Sequence, residues 1–209
     1  MSLSKIQIAN VALQKIGARV ITAFDENSSS ARAVNSVYDV VRDEILGESP
    51  WSFAQKRAAL VQVSVTPAFT DDNMTYVYAK PSDLIKINFI NIPQATVKVE
   101  GPYILSDTSG LGIIYTFRND DPATYFPLFS MALAVRLAAE LCFNLSESTA
   151  KAEAVFEQYE KISLPRAQSA DSQQSTPTQP IQDEWESAKD MAGATFIVQP
   201  GAQTWQPYP

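Results

Sequence analysis

Two pairs of adjacent carboxylates, Asp71-Asp72 and Asp120-Asp121, have the residue types that metal binding or acid-base catalysis would need. Such a pair can coordinate Mg²⁺ or act as general acid and base on a glycan. Their neighbours favour a simpler interpretation, because Asp121 precedes Pro122 and Asp72 precedes Asn73, as in helix caps and turns. Capping and turn formation are therefore preferred, and a carboxylate-based hydrolase or metal-dependent enzyme is the alternative.

The chain contains no histidine, which excludes imidazole acid-base chemistry, Ser-His-Asp and Cys-His nucleophiles, and imidazole metal ligands. Its single cysteine, Cys142, lies in a helical apolar pattern with Ala138, Leu141 and Leu145, which predicts a buried structural thiol. We therefore predict no catalytic residue, no cofactor and no metal site.

The net charge of −7, from 23 acidic and 16 basic residues, argues against a surface built to grip phosphates. The basic residues that could contact DNA are interpreted as ordinary solvated charges. They are Arg32, Arg42, Lys56, Arg57 and Arg136.

Cysteine usage and the N-terminal residues predict folding in a reducing cytosol, because Met1–Lys5 lacks the apolar core of a signal peptide. The longest apolar stretch, residues 125–145, contains Pro127, Arg136 and Glu140. It is interpreted as a buried helix, not a membrane span. No membrane association is expected for the free protein.

The N-terminal region predicts two amphipathic helices. The first covers Ser4–Ile16, with Gly17 as its C-terminal cap, and the second begins at the serines 28–30 and ends near Gly47. Pro50 forces a break, because it lacks an N–H group and disfavours helical geometry in the residue before it. Trp51 and Phe53 are then expected to fill the corner that follows.

Alternating apolar residues after this corner predict a small antiparallel sheet. The candidate strands are residues 60–65, Tyr76–Ala79, Leu84–Ile92, Ala95–Glu100 and Ile113–Phe117.

Two further helices are predicted after the strands. Asp120-Asp121-Pro122 has the composition of a helix start, and the alanine-rich apolar pattern that follows predicts the central helix of a bundle. The last helix begins at Ser146 or Ser148, and Pro165 kinks or stops it. Its predicted inward-facing residues are Ala152, Val155, Tyr159 and Ile162.

Residues 168–182 are almost entirely small or polar, which predicts a tether. Large apolar side chains follow this segment, beyond the last predicted core element, so we expect them to bind a partner protein. The alternative is that they fold back onto the body of their own chain. These candidate partner-binding residues are Trp185, Phe196, Ile197, Trp205 and Tyr208.

The predicted fold class is α+β: a bundle of about four helices with an inserted small antiparallel β domain and an extended C-terminal tail. The predicted divisions are residues 1–55 and 120–167 for the two halves of the bundle, 56–119 for the β-rich insertion, and 168–209 for the tail.

Five segments, read in order, resemble the tail tubular protein A family, the head-to-tail adaptors of short-tailed bacteriophages and related prophages. The resemblance covers about residues 4–170. The segments are Leu13-Gln14-Lys15-Ile16-Gly17, Val37-Tyr38-Asp39-Val40-Val41-Arg42-Asp43, Pro50-Trp51-Ser52-Phe53-Ala54, Tyr76-Val77-Tyr78-Ala79-Lys80-Pro81-Ser82-Asp83-Leu84 and Phe129-Ser130-Met131-Ala132-Leu133-Ala134.

The resemblance implies a helical bundle with an inserted β domain, assembled as a dodecameric ring below the portal protein at one vertex of the virion. Such a ring is assembled in the host cytoplasm. It extends the portal channel, docks downstream nozzle or fibre proteins, and helps retain double-stranded DNA that passes through its lumen without sequence-specific binding. No catalytic residue defines the family. This chain departs from the pattern at Pro165 and in its aromatic tail.

Two other structural roles stay open from the sequence. Related helical connectors of long-tailed phages occupy the same position, and the sequence does not separate the two tail types. A host-facing adhesion module is disfavoured, because the chain lacks the repeated β architecture expected of one.

Overall fold

The computed structural model describes residues 3–65, 74–145 and 148–174, and these form an α+β fold. The predicted fold class is confirmed. A π-helical segment, Tyr159–Ser163, joins the last two helices without a break, so the helices form four rods. The helices are α1 (Lys5–Ile16), α2 (Ser29–Glu48), α3 (Pro127–Leu145), α4 (Thr149–Gln158) and α5 (Leu164–Ser172).

Local capping chemistry sets the ends of α1 and α2 where the sequence predicts them. The Ser4 hydroxyl accepts a hydrogen bond from the Gln7 N–H, and the Gln7 side chain accepts one from the Ser4 N–H, which forms a capping box. Gly17 ends α1 in the left-handed conformation, with φ of 78°. Ser28 caps α2, whose last residue lies two positions before Pro50.

Helix α3 is the central helix, as predicted, and α1, α2 and α4 pack around it. Eleven of its residues are buried, and its alanines allow these neighbours to approach closely. Among the described residues it is the one helix long and apolar enough to cross a membrane, with a mean hydropathy of 1.6. However, 61% of that apolar window is buried inside the protein, as in a core helix.

The corner after α2 is filled by aromatic side chains, as predicted. Trp51 is fully buried, and its Nε1–H donates a hydrogen bond of 2.8 Å to the Ile45 carbonyl at the end of α2. The Phe129 ring of α3 contacts Trp51 and Phe53 edge-on, at centroid distances of 5.1 and 4.8 Å. The corner thus locks the end of α2 against the first turn of α3.

In the part of the chain that the structure describes, six strands form two antiparallel three-stranded sheets, with the orders β1-β6-β3 and β2-β5-β4. The sheets share one apolar core, to which Ile113 and Tyr115 contribute from the first sheet and Tyr78 and Ile104 from the second. The strands are β1 (Gln55–Ala59), β2 (Tyr76–Ala79), β3 (Leu84–Ile90), β4 (Val97–Glu100), β5 (Tyr103–Ser106) and β6 (Gly112–Phe117).

The predicted strand at residues 60–65 is wrong as a regular strand, because this segment forms only an isolated bridge between Gln62 and Tyr78. The alternating valines suggested a half-buried strand, but Val61 is 70% exposed. The first strand lies earlier, at Gln55–Ala59, where mostly exposed side chains give no apolar pattern. Strand β5 was not predicted either, because three of its four residues are buried in succession without alternation.

The predicted start of the third helix at Pro122 is also wrong. Asp121 caps a short 3₁₀ turn, Pro122–Thr124, and regular helix begins at Pro127. The second proline accounts for the difference, because the residue before a proline avoids helical geometry.

Of the two outcomes predicted for Pro165, a kink or a stop, the stop is wrong, because helix continues past it. The π-helical segment before it lets the Leu164 N–H donate to the Tyr159 carbonyl, five residues back, and α5 continues to Ser172. Residues 168–172, which the sequence assigned to the extended tail, are therefore helical. The extra residue in the π turn also rotates Ile162 outward, so that it is 51% exposed instead of buried.

We predict that Trp51→Ala lowers the free energy of unfolding by about 3–5 kcal/mol, because it leaves a large cavity and an unpaired Ile45 carbonyl. Trp51→Phe should cost less, because it keeps most of the packing. Urea unfolding measures both, with the exposed Val61→Ala as the control. A loss below about 1 kcal/mol for Trp51→Ala would contradict the role assigned to this corner.

Candidate interaction surface

The five candidate partner-binding residues and the carboxylate pair Asp71-Asp72 lie outside the described residues. The partner-binding residues are Trp185, Phe196, Ile197, Trp205 and Tyr208. The surfaces described below belong to the body of the protein, residues 3–174.

Side chains that could have carried catalysis have structural partners. The Asp121 carboxylate accepts a hydrogen bond from the Ala123 N–H at 3.0 Å, in its predicted role as a cap. Asp120 forms an ion pair of 2.7 Å with Arg42. Cys142 is buried. Within the described part of the chain, no cluster of three or more His, Cys, Asp or Glu side chains could hold a metal ion.

Arg42 is the centre of an ion-pair cluster, so the prediction of a solvated charge is wrong for this residue. It is 5% exposed and contacts Asp39 at 3.0 Å, Asp43 at 2.8 Å and Asp120 at 2.7 Å. Burial alone would lower the pKa of Arg42, but the hydrogen bond and charge of Asp43 and the other carboxylates outweigh it and raise the pKa. The cluster fastens α2 to the loop that leads into α3.

Arg136 forms a second cluster and also differs from the predicted solvated charge. Its guanidinium contacts Glu44 of α2 at 3.0 Å and Glu140 of α3 at 3.1 Å, and lies 5.3 Å from the centre of the Phe156 ring. The three remaining basic residues of the set are exposed: Arg32, Lys56 and Arg57. Lys56 nevertheless pairs with Asp83 at 2.7 Å and lies 3.9 Å from the centre of the Phe117 ring, so it also differs from the predicted solvated charge.

An apolar groove opens between α1, α3 and the π-helical segment, and we call it the α3–π groove. It has a volume of about 190 Å³. Met131 and Ile162 are 40% and 51% exposed in it. Lys15 and Arg166 lie at its edges, and neither has an ion-pair partner among the described residues. The other lining residues are Leu128, Ala132, Val135, Gln158 and Ser163.

The sequence did not predict the α3–π groove. Ile162 was assigned to the core, because helical periodicity assumes that each residue advances by the same angle, and the π turn breaks that rule. Met131 carries a weak signal, since it is a large flexible side chain in an alanine-rich helix.

A second apolar concavity of about 280 Å³ lies between α3 and α4. Phe143, which is 56% exposed, and Phe156 form its apolar walls, and Arg136 lies beside them. Among the described residues, the helices thus present this concavity to solvent as well as the α3–π groove.

No protein-family model matches this chain, and no curated protein sequence matches it.

Tyr159 ties the π-helical segment to α2. Its ring is buried, and its hydroxyl donates a hydrogen bond of 2.7 Å to the Glu48 carboxylate. Partial burial of this carboxylate raises the pKa of Glu48, although the hydrogen bond from Tyr159 acts in the opposite direction. The negative charge of Glu48 therefore costs stability in the folded state.

We predict that Glu48→Gln stabilises the protein at pH 7, because the amide oxygen still accepts the Tyr159 hydrogen bond without the buried charge. The gain should be below about 1 kcal/mol, since the Glu48 carboxylate is only partly buried and solvent screens its charge. It should disappear as pH falls through the raised pKa of Glu48 towards the unfolded-state value of 4.5, because the wild-type carboxylate then becomes protonated.

Thermal unfolding between pH 4 and pH 8 measures the difference. Glu153→Gln on the exposed face of α4 is the matched control and should show no such pH dependence. A gain for Glu48→Gln that grows towards low pH would contradict the assignment.

Proposed function

We propose that this protein is a virion structural protein, the subunit of a head-to-tail adaptor ring at the portal vertex. The observation that carries this proposal is the interrupted bundle. Helices α1 and α2 are followed by two small sheets, and α3 to α5 then complete the bundle. This is the arrangement that the resemblance implies, and the five motifs occur along it in the same order.

The roles proposed for the ring are mechanical. It extends the portal channel, docks the downstream nozzle or fibre proteins, and helps retain and pass the genomic DNA. Its partners are other copies of the chain in a dodecamer, the portal protein, those tail proteins, and double-stranded DNA bound without sequence specificity. The ring is assembled in the host cytoplasm and resides in the virion.

The charge of the chain supports a channel role. A net charge of −7 repels phosphates, which keeps a moving DNA polymer from adhering to a channel wall. Two arginines that might have gripped DNA, Arg42 and Arg136, are instead engaged by carboxylates of the same chain. They serve the fold of the subunit.

The exposed apolar side chains support assembly. A ring closes through heterologous contacts, in which two different surfaces of each copy meet. Large apolar side chains are exposed on several different elements. They include Val40 on α2, Phe89 on β3 and Phe143 on α3, and each is more than half exposed. Burial of such groups between copies would supply the driving force.

We expect electron micrographs of the purified protein mixed with its portal to show rings stacked coaxially on the portal. The readout is the number of complexes with density added along the portal axis. Portal alone is the control. A protein that stays monomeric and leaves the portal unchanged, or that turns over a glycan or phosphate ester as an isolated copy, would overturn the proposal.

We also predict that deletion of residues 175–209 abolishes portal binding but leaves the body folded. The deletion should begin after Gln174, because the Asp171 carboxylate accepts hydrogen bonds from the Ser52 N–H at 3.1 Å and from its hydroxyl at 2.6 Å. Co-sedimentation with portal measures binding, and thermal unfolding checks the body.

A full-length variant with serine at the five aromatic and apolar tail positions tests whether these side chains, and not the length of the tail, are responsible for binding. It should lose portal binding as the deletion does. Undiminished binding by both proteins would show that the tail has no part in docking. The substituted residues are Trp185, Phe196, Ile197, Trp205 and Tyr208.

A further inference from the structure

We propose that the α3–π groove of one copy binds the Trp185 side chain of a neighbouring copy. The occupant is the acidic segment Asp183-Glu184-Trp185-Glu186. This inference rests on the proposed function in one respect, that copies of the chain stand side by side in a ring. It assigns the tail a specific receptor on the adjoining subunit.

The size of the groove matches one large side chain. Its volume of about 190 Å³ is below the 300–1,000 Å³ or so that small-molecule sites occupy. Its walls are apolar, with Leu128, Met131 and Val135 from α3 facing Ile162 from the π-helical segment. Tryptophan is among the residues enriched at interface hot spots, where it is buried in a pocket of the partner.

Charge complementarity identifies which tryptophan enters. Lys15 and Arg166 flank the groove and have no ion-pair partner among the described residues. Trp185 is flanked by three acidic side chains, those of Asp183, Glu184 and Glu186, whereas residues 200–209 around Trp205 contain no Asp or Glu. Insertion of Trp185 would bring acidic side chains close to Lys15 and Arg166. A tail segment without acidic residues, such as the one around Trp205, would not form these ion pairs and would bind more weakly.

The length of the connection allows the segment to reach another copy. The described chain ends at Gln174, and the eleven residues from there to Trp185 span at most about 36–40 Å when extended. That exceeds the diameter of about 10–12 Å of a single helix. Because the groove and the acidic segment are different parts of the chain, each copy would offer its groove to one neighbour and its segment to the other. Heterologous contacts of this kind can close into rings.

Cysteine cross-linking in the full-length protein tests this contact. One variant carries Ser163→Cys in the groove and a second carries Ser187→Cys, two residues after Trp185. The native Cys142 is buried and should stay reduced. Mild oxidation of the mixture is expected to give a disulfide-linked pair containing one chain of each kind.

Three comparisons make the result specific. Adding Trp185→Ala to the Ser187→Cys chain should lower the yield of the linked pair at least about tenfold. Moving the first cysteine to the exposed Ser64 should give no linked pair above background. Arg166→Glu should lower the yield by up to about fivefold, and Glu186→Arg in the other chain should restore it.

A yield unaffected by Trp185→Ala, or equal linking at Ser64, would overturn the inference. So would linking that occurs only when both cysteines are placed in the same chain. Coaxial rings on the portal without the linked pair would reject this contact and leave the adaptor function standing. A linked pair without rings would reject the adaptor function and leave the contact standing.

Discussion

Helix α3 is apolar around most of its circumference, and such a helix is stable in water only when other elements cover it. Eleven of its residues are buried beneath α1, α2 and α4. Its ionic residues Arg136 and Glu140 lie on the strip that is left, where they pair with each other and Arg136 also pairs with Glu44 of α2. The other helices of the bundle therefore shield α3 from water. The two sheets lie between α2 and α3 in sequence and do not interrupt this helical core.

The helices could be predicted because their boundaries depend on nearby residues. The capping box at Ser4, the left-handed Gly17, the Ser28 cap and the break at Pro50 each act within one turn of the chain. The strands were harder. Strand β1 is held at the edge of its sheet by pairing with β6, more than fifty residues later, and its exposed side chains leave no period-two pattern. Long-range pairing of this kind is not legible in local periodicity.

The same distinction separates the predicted and unpredicted features of the candidate surface. Asp121 is a cap, and its role follows from the proline beside it. Arg42 and Arg136 are not the solvated charges that composition suggests. Each pairs with a nearby carboxylate of its own helix, Asp43 and Glu140 respectively, and also with one that is distant in sequence, Asp120 and Glu44, which local patterns do not reveal. The groove depends on one extra residue in a helical turn, which shifts every following side chain and leaves no compositional trace. The role predicted for the aromatic tail stays a prediction, because residues 175–209 lie outside the described part of the chain.

Pairing within the body decides which cations remain for partners. Lys5, Arg42, Lys56, Arg118, Arg136 and Lys161 all have carboxylate partners in their own chain. A phosphate that approached them would have to displace a carboxylate already in contact, so they attract DNA weakly. Lys15 and Arg166 line the apolar groove, and within residues 3–65, 74–145 and 148–174 neither has a carboxylate partner. A DNA backbone offers charge without an apolar group to fill that groove, whereas an acidic peptide with a central aromatic residue offers both. The physical chemistry of the groove therefore favours a protein segment over nucleic acid.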